Sequence, residues 1–394
     1  MKKYKLALSV AATSLLTVVP AISGACVGKT EKTPKTPGTG TGDTQKDNGK
    51  VETPKKDFKI ILNSDAQYAG EEAKVALIQK LESKLPAYKF TIEFTEDYTT
   101  ALDEVIKGAA HLAFPSVGAL MSNEKHNEVN PYLQTLARSF NNDSTAAVYV
   151  DGTLENDPLR KLGASETEEF NATPYANWDP NNWDKINYIY KNFYDSAKKV
   201  NYQRGAIWIS GTDEVRANII KAWNDKDWAT FKSFGVIHGS SDSGSKFILP
   251  QNLLKLHFNK EDNKFTTLSE EILNNANLFV EGKIAHLHKD ASKHIVFDNQ
   301  GSYSWTKSKE ENLSKYTPRD GEKLEILTLT NPIPYNLGVF NKDLPKEVIE
   351  TISDTFIELA NADQDPTGKS QGFVGYEKIN DLSSVISMYE NGTK

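Results

Sequence analysis

The segment Gly239–Lys246, with the sequence GSSDSGSK, has the composition of an anion-binding site. It follows the β-rich run Phe234–Ile237 and leads into a predicted helix. Such a junction offers backbone N–H groups, serine hydroxyls and the positive end of a helix dipole, all of which suit phosphate oxygens. The glycine spacing and the Gly-Lys-Ser/Thr ending of a P-loop are absent. An ordinary capped helix is therefore the alternative interpretation.

The phosphate contacts predicted from this segment are Ser243, Gly244, Ser245 and Lys246. Lys246 contributes a full positive charge near the first turn of the helix. Asp242 would repel a phosphate, unless it faces a cationic part of the ligand or a divalent cation bound to the phosphates. We therefore include Asp242 among the candidates in that second role.

Three further candidates stand next to predicted strands. Arg204 precedes one strand and could clamp an anion through two parallel hydrogen bonds, with a surface salt bridge as the alternative. Asp298 and Trp305 follow the strand Ile295–Phe297, at the edge where open α/β sheets bind ligands. The indole could stack on a flat heterocycle, and the carboxylate could accept from an amino group or pair with a cation. Core packing of Trp305 and solvation of Asp298 are the alternatives.

Other candidates occupy equivalent places along the chain. Gln67 and Tyr68 follow the first predicted strand, and Ser116 opens a helix after the third. Asn331 and Tyr335 belong to the segment NPIPY, through which the chain returns from its second set of elements to its first. We expect all five to face the same ligand site.

Several classes of function are disfavoured by what the sequence lacks. There is no Gly-x-Ser-x-Gly elbow, and the seven histidines do not have the spacing of a zinc site. We therefore predict no enzymatic activity, no catalytic cofactor and no metal site within the protein. The net charge of −7 gives no long-range attraction to nucleic acid, which we do not expect as a partner.

Cys26 is the only cysteine in the chain and indicates export. A basic start, an apolar middle and the small residues Ser23–Ala25 make residues 1–25 a signal peptide. A cysteine in this position predicts a bacterial lipoprotein, acylated at Cys26 and held at the outer face of the cell membrane. Ser23 departs from the usual pattern, which has a larger aliphatic residue there. A plain signal peptide with an incidental cysteine is the alternative.

The remaining chain divides into a tether and an α/β body. Residues 26–56 are rich in Thr, Lys, Gly and Pro and predict a flexible tether, with a reach of roughly 30 Å. From Phe58 onward, strands and helices alternate in two successive sets, which predicts parallel strands joined by helical crossovers. Between the sets lies an irregular stretch of about 60 residues. We expect Tyr175, Trp178 and Trp183 to anchor it on its own lobe, with a reach over a cleft as the alternative.

Long stretches of this sequence resemble one known family. The stretches that carry the resemblance are VDGT at 150–153, TPYANW at 173–178, YQRGAIWI at 202–209, AWNDKDW at 222–228, Phe234–Phe247, KFTTL at 264–268 and TNPIPY at 330–335. They resemble the mycoplasma P37 family of extracytoplasmic thiamine-binding lipoproteins, which serve ABC import systems. The likeness is densest from about residue 150 to 340.

The resemblance implies a two-lobed type II periplasmic-binding-protein fold, related to phosphonate-binding proteins. Each lobe would be a mixed sheet flanked by helices, with the ligand in the cleft between the lobes. We place lobe 1 at residues 57–209 plus 330–394 and lobe 2 at residues 210–329. In the phosphonate-binding relatives a Ser/Thr-Gly helix start holds the oxyanion, and it matches Ser243–Ser245 here.

The resemblance also implies a ligand, thiamine diphosphate or thiamine. We expect a lipoprotein that delivers it to the permease and ATPase subunits of an ABC importer, with a divalent cation as an optional companion of the diphosphate. A phosphonate or another phosphate ester is the alternative ligand. A surface adhesin is the alternative from another class, and an enzyme acting on phosphate esters is the weakest.

Overall fold

The computed structural model describes residues 54–174, 177–184, 189–241, 243–260, 264–287, 289–305, 319 and 321–393, with Trp305 described in its backbone alone. The predicted signal peptide, Cys26, most of the tether and Asp242 lie outside the described residues.

Strands and helices alternate along the described chain. The strands are β1 (Lys56–Asn63), β2 (Tyr88–Thr95), β3 (Leu112–Ala113), β4 (Val129–Phe140), β5 (Tyr194–Val200), β6 (Tyr202–Gln203), β7 (Gly205–Gly211), β8 (Val236–His238), β9 (Phe279–Glu281), β10 (Ile295–Asn299), β11 (Lys323–Leu329), β12 (Ile333–Pro334), β13 (Leu337–Asn341) and β14 (Gly375–Lys378). The helices are α1 (Glu71–Lys84), α2 (Tyr98–Ile106), α3 (Val117–Ser122), α4 (Pro158–Asn171), α5 (Asp213–Asn224), α6 (Trp228–Ser233), α7 (Leu249–His257), α8 (Leu268–Asn274), α9 (Lys346–Asn361), α10 (Pro366–Ser370) and α11 (Leu382–Thr393).

The first sheet has the strand order β14-β4-β13-β3-β1-β2, with β5 paired to β4. β1 runs parallel to both β2 and β3, as the predicted strand–helix alternation requires. In β2, Tyr88, Phe90 and Ile92 are buried while the residues between them are exposed. One face of this strand therefore packs on the core and the other faces water.

The second sheet has the strand order β11-β7-β10-β8-β9. All seven residues of its strand β7 are buried, because separate apolar clusters cover the two faces of the sheet. Trp178 and Trp183 belong to one of these clusters, and Trp178 stacks on Tyr190 with ring centroids 4.4 Å apart. The predicted anchoring is confirmed for Trp178 and Trp183, and Tyr175 lies outside the described residues.

The lobe boundary that we placed after residue 209 is corrected by the sheets. It falls inside β7, which is hydrogen-bonded to β10 and β11 of the second sheet along its whole length. Helix α4, which we assigned to the first lobe, packs on β11, and the Ile326 N–H donates to the Thr167 hydroxyl at 2.9 Å. The sequence identifies these elements, but not the partners with which they pair.

Two short strands, β6 and β12, pair with each other between the two large sheets. The pairing is extended by the Tyr335 N–H, which donates to the Asn201 carbonyl at 2.8 Å, and by the Thr330 N–H, which donates to the Gly205 carbonyl at 2.9 Å. We call residues 201–205 and 330–335 the crossover ribbon. The chain passes through it from one lobe to the other.

Candidate functional site

A cavity of about 940 Å³, counting the part open to solvent, lies where the two sheets face each other beside the crossover ribbon. We call it the polar cleft. Its lining comprises Asn63, Asp65, Glu96, Tyr98, Ser116, Asn336, Gln371 and Phe373 from the first lobe, Ser240, Ser243, Gly244, Ser245, Lys246 and Asn299 from the second, and Gln203 and Tyr335 from the ribbon. A cleft between lobes with several convergent polar groups is the usual form of a small-molecule site.

The wall from the second lobe is the start of a helix. Gly244–Ile248 forms a π-helical turn that continues into α7, and the Ser243 carbonyl accepts from the N–H groups of Phe247 at 3.1 Å and Ile248 at 3.0 Å. The N–H groups of the first turn have no partner within the helix. Within the described residues, the hydroxyls of Ser243 and Ser245 also make no hydrogen bond. Ser243, Gly244 and Ser245, which we call the serine wall, therefore present spare donors to the cleft.

Lys246 is held in place by a buried carboxylate. Its Nζ lies 3.5 Å from Oδ1 of Asp298, which is 2 % exposed. Asp298 also accepts from the backbone N–H groups of Ile284 and Asn299, each at 2.8 Å. We predicted Asp298 as a ligand contact, but the structure makes it the residue that positions Lys246. The serine wall and Lys246 are brought together as predicted.

Gly205 allows this wall to approach the sheet. A Cβ atom at this position would lie 2.4 Å from the backbone carbonyl oxygen of Ser245, closer than real Cβ contacts. The glycine that begins β7 therefore fixes the depth at which the serine wall sits.

Two predicted residues line the cleft from elsewhere. Ser116 lies on the opposite wall, where its Oγ accepts from the Ala119 N–H at 3.1 Å and caps α3. Tyr335 stands at the ribbon, edge-on to Phe373 with ring centroids 5.8 Å apart. Burial raises the pKa of the Tyr335 phenol, so the ring stays neutral.

The turn after β1 contributes different residues from those predicted. Asn63 and Asp65 line the cleft, whereas Gln67 and Tyr68 do not, and Tyr68 is 48 % exposed. The residues after β1 form a short 3₁₀ turn, Ser64–Ala69, and Asp65 is its contribution to the cleft lining. Asp65 and Glu96 place two carboxylates on the wall facing the serines. Asp65 is not among the ligand contacts predicted from the sequence, although it stands two residues before Gln67.

Arg204 is not free to clamp an anion. It is 1 % exposed, and its guanidinium nitrogens donate to the Asp143 carboxylate at 3.2 Å, the Thr330 carbonyl at 2.9 Å and the Ser144 carbonyl at 2.6 Å. Thr330 belongs to the other half of the ribbon, and Asp143 and Ser144 belong to a segment that passes beside it. Arg204 therefore ties the crossing segments together, and the predicted ligand contact is corrected.

The other predicted positions lie outside the cleft or outside the described residues. The Asn331 side chain accepts from the Tyr149 N–H at 2.8 Å and lines a different cavity, beside α11. The prediction for Asn331 is therefore wrong for this cleft. Asp242 and the side chain of Trp305 lie outside the described residues.

A second cavity, which we call the aromatic compartment, adjoins the polar cleft. Its lining includes Phe140, Ile189, Tyr194, Val200, Tyr202 and Gln300, and it shares Gln203, Asn299 and Tyr335 with the polar cleft. The rings of Phe140 and Tyr194 are tilted, with centroids 4.4 Å apart. The side-chain amides of Gln203 and Asn299 make no hydrogen bond within the described residues. The two cavities together offer donors at one end and aromatic faces at the other.

A buried carboxyl stands behind the aromatic compartment. Nε2 of Gln300 donates to Glu166 at 2.6 Å and contacts Asp143 at 3.5 Å. Burial, with a smaller contribution from the charge of Asp143, raises the pKa of the Glu166 carboxyl well above its usual range, although the hydrogen bond from Gln300 opposes the shift. Burial therefore favours the protonated, uncharged form of Glu166 behind the rings.

Two features are absent from the described residues. No group of three or more His, Cys, Asp or Glu side chains in that part of the chain could hold a metal ion. No helix in it is both long and apolar enough to cross a membrane.

The fold is shared with solved structures. The chain superposes on the Mycoplasma hyorhinis protein Mh-p37 with a TM-score of 0.79 at 31% sequence identity, covering 87% of this chain and 100% of that one. That protein is described as a suggested thiamine pyrophosphate transporter. XAC2383 from Xanthomonas citri, at 9% identity and a TM-score of 0.50, shares the fold alone over 85% of this chain and 96% of its own. The predicted two-lobed type II periplasmic-binding-protein fold is confirmed.

The sequence comparisons identify the family. Residues 71–393 match the family CypI, described as extracytoplasmic thiamine-binding lipoprotein. The high affinity transport system protein p37 of Mesomycoplasma hyorhinis is 38% identical over 311 residues, 77% of this chain and 76% of the relative. Its namesake in Mycoplasma pneumoniae is 30% identical over 345 residues, 84% of this chain and 88% of the relative. The chain belongs to this family of extracytoplasmic, transport-related substrate-binding lipoproteins.

Proposed function

We propose that the protein captures thiamine diphosphate between its two lobes and delivers it to the permease of an ABC importer. The observation that carries this proposal is that the polar cleft, with its donor-rich helix start, shares lining residues with the aromatic compartment. A ligand with a phosphorylated end and a flat heterocyclic end fits this arrangement.

The diphosphate would lie against the serine wall. The hydroxyls of Ser243 and Ser245 and the first N–H groups of the helix are spare donors, and a helix start favours anions. Lys246 adds a charged donor held in position by Asp298. Hydrogen bonds to a charged acceptor are the strong ones, so these donors would supply most of the affinity.

The rings would occupy the aromatic compartment. Tyr194 and Tyr335 offer faces for stacking, and the amides of Gln203 and Asn299 can pair with the nitrogen atoms of an aminopyrimidine. A simple phosphonate would leave these aromatic faces and amides without a partner. This favours thiamine diphosphate over the smaller anions.

The facing carboxylates support the same choice. Asp65 and Glu96 line the cleft from the first lobe, opposite Lys246 and the serines. A purely anionic ligand would be repelled by them, whereas the positive charge of the thiazolium, next to the diphosphate, would reduce this repulsion. A divalent cation on the diphosphate would also be attracted to these carboxylates and is kept as part of the proposal.

Capture would proceed by closure of the lobes. The lining comes from both lobes and from the crossover ribbon, so a ligand makes its full set of contacts only when the two walls are close together. Binding would therefore shift the equilibrium between open and closed forms towards the closed one.

The family description supports a site of action outside the cytoplasm. We propose that Cys26 carries the lipid anchor and that the tether keeps the receptor near the permease and ATPase subunits of its importer, at the outer face of the membrane. The alternative ligand, a phosphonate or other phosphate ester, would use the same serine wall. The relatives are transport-related binding proteins, and we propose no enzymatic activity.

Calorimetric titration with thiamine diphosphate tests the serine wall. The triple variant Ser243→Ala, Ser245→Ala, Lys246→Ala should bind at least about 100-fold more weakly, because it loses several hydrogen bonds to a charged group. Lys255→Ala, an exposed lysine of the same continuous helix, serves as the matched control and should keep the affinity of the original protein. An unchanged affinity in the folded triple variant would show that these three residues do not hold the diphosphate.

A further inference from the structure

The segment Gly239–Lys246 lines a second cavity in addition to the polar cleft. This cavity, which we call the outer compartment, has a volume of about 790 Å³, counting the part open to solvent. Its lining comprises Gly239, Ser240, Ser243, Lys246, Glu281, Gly282, Lys283 and His286. Ser240, Ser243 and Lys246 also line the polar cleft, so the proposed phosphate donors face both spaces.

The charges are distributed unevenly between the two spaces. In the polar cleft, the charge of Lys246 is largely matched by Asp298, 3.5 Å away. In the outer compartment, Lys283 forms no ion pair within the described residues and is half-buried. A phosphate chain held by Ser243 and Lys246 would therefore find its next uncompensated cation at Lys283.

The backbone around Lys283 is fixed before any ligand binds. The Gly282 N–H donates to the His238 carbonyl at 2.7 Å, and the Ile284 N–H donates to Asp298 at 2.8 Å. A Cβ atom on Gly282 would lie 2.5 Å from Nδ1 of His286, so the glycine allows the imidazole to pack here. Preorganisation of this kind lowers the cost of binding an anion.

Glu281 is the opposing charge in the described lining. It is exposed at the end of β9, which pairs with β8 through His238. Its carboxylate would weaken, but not cancel, the attraction of Lys283 for an anion, because exposed charges are well screened.

We propose that the outer compartment accepts a third phosphate group, so that the protein binds thiamine esters with phosphate chains longer than a diphosphate. This inference rests on the proposed function, because it continues the phosphate chain beyond the serine wall. The chemistry shared by its ligands is a triphosphate, carried by thiamine or free in solution.

Calorimetry with thiamine diphosphate, thiamine triphosphate and inorganic tripolyphosphate tests the proposal. Lys283→Gln should weaken triphosphate binding roughly fivefold while changing diphosphate binding less than about twofold. Glu281→Gln should tighten triphosphate binding. Lys289→Gln, an exposed lysine of the same segment, is the matched control and should change neither.

The outcomes separate this inference from the proposed function. If the diphosphate binds and thiamine triphosphate does not, the outer compartment is closed to phosphate and the inference is wrong. Equal weakening of both ligands by Lys283→Gln overturns it as well. If no thiamine phosphate binds, the proposed function fails, whereas tripolyphosphate binding that depends on Lys283 still supports an anion site in this cavity.

Discussion

Arg204 and Lys246 are two cations beside the same cleft, and the fold uses them in opposite ways. Arg204 is 1 % exposed, and its guanidinium donates hydrogen bonds to Asp143, Ser144 and Thr330. The Lys246 side chain is 28% exposed and has one charged partner, 3.5 Å away. A cation near a cleft therefore indicates a ligand only when some of its hydrogen-bond donors have no partner within the protein.

The positions of the two residues explain this difference. Arg204 lies in the crossover ribbon, where segments of the chain that are distant in sequence pass one another and leave buried carbonyls in need of donors. Lys246 lies at the start of a helix, where the adjoining N–H groups are themselves unpaired. Arg204 is therefore expected to matter for folding, and Lys246 for binding.

The largest expected effect that follows is on stability. Arg204→Met leaves the Asp143 carboxylate buried without its cation, and removing one partner of a buried pair costs about 3–5 kcal/mol. Denaturant unfolding of purified protein should show this loss. Lys246→Met is the matched control and should lose less, because Asp298 keeps its two backbone N–H donors and the Lys246 side chain is partly exposed.

Either of two results would contradict the roles assigned to Arg204 and Lys246. If Arg204→Met unfolds at the denaturant concentration of the original protein, its hydrogen bonds do not hold the crossing segments together. If Lys246→Met is as unstable as Arg204→Met, Lys246 is a structural residue and its assignment to the ligand fails.

A smaller effect concerns Glu166, which stands behind Arg204 through Gln300 and Asp143. Burial raises the pKa of the Glu166 carboxyl in the folded state above the ordinary value of 4.5. As the pH rises through that value, the unfolded chain releases a proton that the folded chain keeps, so the stability of the folded state falls. Glu166→Gln does not titrate and should gain stability relative to the original protein as the pH rises.

Thermal unfolding of both proteins from about pH 4 to about pH 8 checks this expectation. The midpoint of the variant should move upward relative to the original protein as the pH increases, with the smallest difference in acid. A difference that is the same at every pH would show that Glu166 does not keep its proton on folding.

The sequence predicts local features of the site well. The serine wall is recognisable because its donors belong to one short segment that begins a helix, and local geometry alone directs them into the cleft. Ser116 lies in the lining of the cleft for a similar reason, since it caps a helix after a predicted strand.

What depends on distant partners could not be predicted. The donors of Arg204 are used by residues about 60 and 126 positions away, as the bonds to Ser144 and Thr330 show. The role of Asp298 depends on Lys246 and on the backbone of Ile284, which belong to other elements. The alternation of strands and helices is visible in the sequence, but the sheet to which β7 belongs is not.

The most direct test of the proposed function is mass spectrometry of the small molecule released when protein purified from its native source is denatured. The proposal predicts thiamine diphosphate, or a thiamine ester with a longer phosphate chain, in an amount comparable to that of the protein. A phosphonate or an unrelated phosphate ester in that amount would contradict the assignment, because the aromatic compartment would then have no ring to hold.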